Sequence, residues 1–183
     1  MKNVLVLLAH SNYDNSLSNK IITDHLKTHS SITVRNLSDV SENFKFGIEA
    51  EQFALSVADI IVLQFPFHWY SVPSIMKKWF DDVLTFGFAY GSGGDKLKGK
   101  KVVLSFTTGG TADSYTEGGM NNFTQEQLVA PLIQTIQFCG MELAGIVSSN
   151  GMIYIPDMMG DKDKVSAKAD EHAEKLLKML SDL

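Results

Sequence analysis

Apolar runs recur along the chain at Val4 to Leu8, Ile32 to Val34, Ile60 to Leu63, Val102 to Phe106 and Ile146 to Ile155. Several lack the polar alternation of a strand with one solvated face, so they suit the interior of a parallel sheet covered on both sides. Between them the apolar period changes. Leu17, Ile21, Ile22 and Leu26 fall near one helical stripe, as do Ile75, Met76, Trp79, Phe80, Val83 and Leu84. Leu128, Leu132, Ile133 and Ile136 form another, and Ala169, Ala173, Leu176, Leu177 and Leu180 the last. Strand and helix thus alternate about five times, and parallel neighbours need right-handed crossovers. The pattern predicts an α/β three-layer sandwich: a five-stranded parallel sheet in the order 2-1-3-4-5 with helices on both faces. No repeat, low-complexity tract or Ser/Pro-rich linker divides the 183 residues, so a single domain over 1–183 is expected.

Charge and composition narrow the function classes. The net charge is -5, and the lysines are scattered apart from Lys96, Lys98, Lys100 and Lys101, so no basic footprint for nucleic acid is present. No apolar run reaches the roughly 18 residues of a spanning helix, and the N-terminal residues lack the pattern of a signal peptide. The chain is expected to be cytoplasmic. One cysteine, Cys139, cannot form an internal disulfide, and its place in "QFCGME" at the end of a helical pattern suits a packing residue better than a nucleophile. No metal site is expected.

In such a sheet, ligands bind beyond the carboxyl ends of the strands, where the winding reverses. The loops after the first, third and fourth strands therefore carry the candidate chemistry. The first, "HSNYDNSLSN" (10–19), has no glycine, yet Asn15 or Ser16 can cap a helix beginning at Leu17. The Ser16 and Ser18 hydroxyls, the Asn19 amide and the free N–H groups of that helix start can hold a terminal phosphate, or can be ordinary capping residues. His10 can donate to the same group or fill the turn. The second loop lies in a segment, 65–90, with nine of the chain's eighteen aromatics. Trp79 and Phe80 sit at core-like helical spacing. Phe67, His68, Trp69 and Tyr70 instead follow a strand directly, between Pro66 and Pro73, and suit either a slot for a planar heterocycle or a subunit interface. The third loop opens on Thr107, Thr108, Gly109 and Gly110, with Tyr115 soon after; paired glycines let backbone approach a ligand or make a tight turn. A phosphate end, an aromatic slot and a cluster of N–H donors together match the parts of a flavin mononucleotide.

"LLAHSNYDNSLSNK", "DIIVLQFPFHWYSVPSIMKKWFDDVLTFGFAYG" and "LSFTTGG" resemble the flavodoxin-like NAD(P)H quinone oxidoreductases, which include DT-diaphorase and the ancillary flavoproteins of Kef potassium-efflux systems. The similarity spans nearly the whole chain and is nearest the Kef ancillary branch. It implies a flavodoxin-like fold and a bound FMN, with FAD the alternative used by DT-diaphorase-type relatives. It further implies that NAD(P)H gives hydride to the flavin and leaves before a quinone accepts two electrons, a ping-pong cycle. In residues, the resemblance implies that His10, Ser16, Leu17, Ser18 and Asn19 hold the ribityl phosphate. Pro66, Phe67, His68, Trp69 and Tyr70 would line the ring, Thr107, Thr108, Gly109 and Gly110 would meet its pyrimidine side, and Tyr115 would serve catalysis. Relatives with that tyrosine carry a histidine six residues later, where this chain has Asn121, so a tyrosine–histidine relay does not carry over. The resemblance also implies a homodimer. It allows a second role as the regulatory subunit of a membrane potassium efflux protein, which would place the chain peripherally on the inner membrane face.

Overall fold

The computed structural model describes residues 2–183. Strand β1 (Val4–Leu8) shows what the continuous apolar runs do: Val4 and Val6 pack into one cluster and Leu5 and Leu7 into another, on opposite faces of the sheet. The remaining strands are β2 (Ile32–Asn36), β3 (Ser41–Glu42), β4 (Lys45–Phe46), β5 (Ile60–Pro66), β6 (Lys101–Thr107) and β7 (Glu142–Ser149). Strands β3 and β4 form a separate antiparallel pair. The other five make a parallel sheet in the order β2-β1-β5-β6-β7, which is 2-1-3-4-5 when only its own strands are counted, as the sequence predicts. The central strands are buried on both faces, whereas β2 and β7, at the edges, are half-exposed.

The helices are α1 (Leu17–Lys27), α2 (Ile48–Val57), α3 (Ser74–Val83), α4 (Gln125–Phe138) and α5 (Lys162–Asp182). Ile22 and Leu26 of α1 and Ala169 and Leu176 of α5 cover one face of the sheet with Val62 and Val103. Leu55 of α2, Trp79 of α3 and Leu132 of α4 cover the other with Leu63 and Leu104. Each buried Val, Leu or Ile among them contributes about 1.5–3 kcal/mol by leaving water. Cys139 is a buried free thiol in this second cluster, and burial pushes its pKa up. No helix among the described residues is long and apolar enough to cross a membrane.

Two elements depart from the sequence reading. Helix α2 has no clean apolar stripe: Ile48, Phe53 and Val57 are exposed, and only Glu51 and Leu55 are buried. It docks through the Glu51 carboxylate, which accepts from Arg35 Nε at 2.9 and 3.0 Å and from Trp79 Nε1 at 2.9 Å, so the buried charge is paired. The last strand ends at Ser149 and does not run on to Ile155. The reason is Gly151 (φ +66°), whose N–H donates to Gly110 O (2.8 Å), followed by Met152 N–H to Thr108 O (2.9 Å). Residues 151–154 are thereby drawn across the carboxyl ends of the strands.

Candidate functional site

Ser16 caps α1: its Oγ accepts from Asn19 N and from Asn19 Nδ2, both at 3.3 Å. The N–H groups of Leu17 and Ser18, in the first turn, have no helical partner, and the Ser18 hydroxyl has none among the described residues. Asn19 is fully buried; its Oδ1 accepts from Gln64 Nε2 (3.0 Å) and its Nδ2 also reaches Thr107 Oγ1 (3.4 Å). His10 accepts from Asn12 N at Nδ1 (3.0 Å), so the neutral ring carries its proton on Nε2 as a donor. Burial, and then the neighbouring His68, push the His10 pKa down to about 4, so the ring is neutral near pH 7. These residues line a cleft with Asn15, Pro66, Phe67, His68, Thr107, Thr108 and Gly109, and its remaining wall is Met152, Ile153 and Tyr154. No lysine or arginine lines it, so an anion there meets neutral donors and the positive end of a helix.

The cleft continues past Phe67 and Gly109 into an aromatic half with Trp69, Tyr70, Gly110, Ser114, Tyr115, Met120 and Asn121. Phe67 stacks on Phe106 with ring centroids 4.4 Å apart and planes 8° apart, and Tyr115 meets it edge-on at 6.3 Å. His68 and Ser71 exchange both backbone hydrogen bonds (2.9 and 3.0 Å) around Trp69 and Tyr70, whose φ values are +49° and +62°. Such a turn normally uses Asn and Gly, because two bulky residues in the left-handed region are strained. Trp69 is nevertheless 94% exposed, so packing within the chain does not explain it. The N–H groups of Gly109 and Gly110 donate to no backbone carbonyl among the described residues. The two glycines differ: a Cβ at Gly109 would find its nearest atom 3.9 Å away, whereas one at Gly110 would lie 2.8 Å from Ser114 Oγ and 3.1 Å from Tyr115 Cε2. A side chain at Gly110 would therefore press on Ser114 and Tyr115 in the loop that follows. Asn121 ties that loop to the aromatic turn, donating from Nδ2 to Ser114 Oγ (2.8 Å) and accepting at Oδ1 from Tyr70 OH (3.2 Å).

All the candidates from the sequence therefore line one two-part cleft, but not in the expected grouping. Thr107 and Thr108 lie on the polar side with Ser16 and Asn19, while Gly110 and Tyr115 lie on the aromatic side. The Thr108 hydroxyl faces Gly110 O (3.1 Å) and Asn150 Oδ1 (2.8 Å), which makes it a brace for the loop. Met152, Ile153 and Tyr154 were hidden in the supposed last strand, although Asn150-Gly151 is a turn signal that could have exposed them. A small gap beside Trp79, lined by Leu7, Leu55, Ile61, Leu132 and Ile136 among others, is apolar and is a packing gap.

A family model described as having a flavodoxin-like fold matches residues 2–180. The chain is 38% identical over 151 residues (82% of this chain, 87% of the relative) to the NAD(P)H oxidoreductase YrkL of Bacillus subtilis. It is 35% identical over 174 residues (95% of each) to KefF of Salmonella dublin, named an ancillary protein of a glutathione-regulated potassium-efflux system. The solved structure of general stress protein 14 from Treponema denticola, in complex with FMN, superposes with a TM-score of 0.89 at 28% identity, over 98% of each chain.

Proposed function

Since the chain belongs to the family with the flavodoxin-like fold, we propose that it is an FMN-dependent NAD(P)H:quinone oxidoreductase using a two-electron ping-pong cycle. One observation carries this reading. A set of neutral donors able to take an anion, Ser16, Ser18 and the start of α1, adjoins through the shared Phe67 and Gly109 an aromatic slot edged by the unengaged amides of Gly109 and Gly110. The donor set fits the cofactor: neutral hydroxyls and helix-end N–H groups suit a monophosphate, and the aromatic half suits a flat ring. The FMN held by the Treponema protein supports FMN over FAD.

When bound, the flavin supplies the hydride acceptor for NAD(P)H and the two-electron donor for the quinone. The chain's own residues bind, orient and shield. His10 would donate from Nε2 to the phosphate side, and Phe67, His68, Trp69 and Tyr70 would border the ring. The Gly109 and Gly110 amides and the Tyr115 hydroxyl would face the pyrimidine side, where negative charge must be stabilised. Asn121, in place of a histidine, would hold Tyr70 and the Tyr115 loop in register and would not carry a proton. The exposed Trp69, Met120 and Phe123 beside the slot suit burial against a second copy of the chain, completing a homodimer.

The test is anaerobic spectroscopy of the FMN-loaded protein. Bleaching of the flavin band by NADPH or NADH, followed by recovery on adding menadione in equal amount, is the expected result; a flavin that no nicotinamide reduces would overturn it. The relatives named as potassium-efflux ancillary proteins favour a second role, docking as a regulatory subunit on a membrane efflux protein. Copurification with such a protein from the same host tests that role.

A further inference from the structure

Beneath the polar half of the cleft, the sheet face toward α1 and α5 changes character. It is apolar as far as Val62 and Val103, then turns polar at Gln64 and Ser105, both wholly buried. Facing them from α5 is His172, also wholly buried and hydrogen-bonded to Ser105 and Ser149, neither of which lines the cleft. The bonds form a continuous row. Ser149 Oγ lies 2.9 Å from His172 Nδ1, and His172 Nε2 lies 2.8 Å from Ser105 Oγ. Ser105 Oγ donates to Gln64 Oε1 (2.6 Å), Gln64 Nε2 donates to Asn19 Oδ1 (3.0 Å), and Asn19 Nδ2 donates to Ser16 Oγ (3.3 Å) and Thr107 Oγ1 (3.4 Å).

A hydroxyl has one proton, and this sets the direction of the row. Ser105 spends its proton on Gln64, so it accepts from His172, whose proton must sit on Nε2 and whose Nδ1 must accept from Ser149. At the other end Ser16 Oγ accepts twice, from Asn19 N and Nδ2. Both its lone pairs are occupied, and its proton is left for the cleft. We propose that His172 is a positioning residue: through Ser105, Gln64 and Asn19 it fixes the direction of the row, so that the Ser16 and Thr107 hydroxyls face the cleft as donors. The ligand this selects is one that only accepts, such as a phosphate dianion, over one ending in an alcohol; identifying it as the phosphate of FMN rests on the reading above. Each bond in the row polarises the next, which strengthens the donors at its end. Burial, and secondarily Lys175, push the His172 pKa down to about 4, so the ring is neutral near pH 7, as the row requires.

Two measurements test the proposal. Nitrogen NMR of the flavin-free protein, with His172 assigned by its loss in His172→Gln, is expected to show the neutral Nε2–H form; the Nδ1–H form would mean that the row runs the other way and would overturn it. Flavin-free wild type, Ser105→Ala and His172→Gln are then titrated with FMN and with riboflavin, which lacks the phosphate. Ser105→Ala removes only one oxygen and provides the answer if the histidine variant does not fold. Each variant is expected to weaken FMN about tenfold and riboflavin less than about twofold. Equal weakening of both ligands, or of neither, overturns the proposal and leaves the oxidoreductase reading standing. A wild type that binds FMN no better than riboflavin overturns the phosphate assignment, and the proposal with it.

Discussion

On the polar side of the cleft, Ser16, Asn19, Gln64 and Thr107 are buried and tied to one another by side-chain bonds. On the aromatic side, Trp69 is 94% exposed, the turn that carries it is strained, and Tyr115 meets Phe67 only edge-on. One half is bonded inward, side chain to side chain; the other turns its rings outward and leaves them uncovered. On the proposed reading, the inward-bonded half would hold the resident cofactor, which gains from preorganisation, and the uncovered half would receive the substrates.

Acidification should have the largest effect, and it should fall on the polar half. The His172 pKa is about 4 in the folded chain against 6.5 in the ordinary state, so the unfolded chain takes up the proton first as pH falls. Stability therefore drops from about pH 6.5 down to about pH 4, by roughly 3 kcal/mol in all, and levels off below. His10 adds to the loss in the same direction. Urea midpoints of the flavin-free protein at pH 7 and pH 4.5 measure this, and a His172→Gln variant with an unchanged pH slope would contradict it. Next in size, Ser16→Ala removes both the cap and a donor to the phosphate, and is expected to weaken FMN by roughly 10- to 100-fold. Flavin fluorescence titration reads that directly.

The aromatic half should respond in turnover more than in cofactor affinity. Tyr115→Phe is expected to slow the reaction about fivefold, the worth of one hydrogen bond, with FMN retained; stopped-flow rates of flavin reduction and reoxidation equal to the wild type would remove Tyr115 from the chemistry. The smallest effect is expected from Trp69→Gly. Relief of the left-handed backbone strain is offset by the greater freedom of glycine in the unfolded chain, so stability should move by less than about 1 kcal/mol while the quinone KM rises. A large loss of stability would show Trp69 to be a packing residue after all.

Much of this architecture is legible in the sequence because β1, β5 and β6 are buried on both faces, and their composition says so without help from partners. Helix α2 is not legible, because it is held by the pairing of Glu51 with Arg35 and Trp79, and a buried carboxylate looks like a surface residue until its partners are known. The same blindness conceals His172. It lies on the stripe of Ala169, Ala173 and Leu176, and only its polarity breaks the pattern. The three loops of the cleft were readable because loop position follows from topology. The contribution of residues 152–154 was not, because their apolar run mimics a strand and only the turn at Asn150-Gly151 redirects it.

The row from Ser149 to Ser16 also has a bearing on how the chain matures. Its links join residues far apart in sequence, 67 positions for Ser105 and His172, 45 for Asn19 and Gln64 and 88 for Asn19 and Thr107. Contacts of such separation close late, since loop entropy must be overcome first. A partly folded chain, even one with α1 in place, would lack the fully oriented donors, and the cofactor would bind more tightly once α5 has docked. Flavin uptake would then act as an inspection step, drawing the finished fold out of the population by mass action and leaving incomplete copies less often occupied.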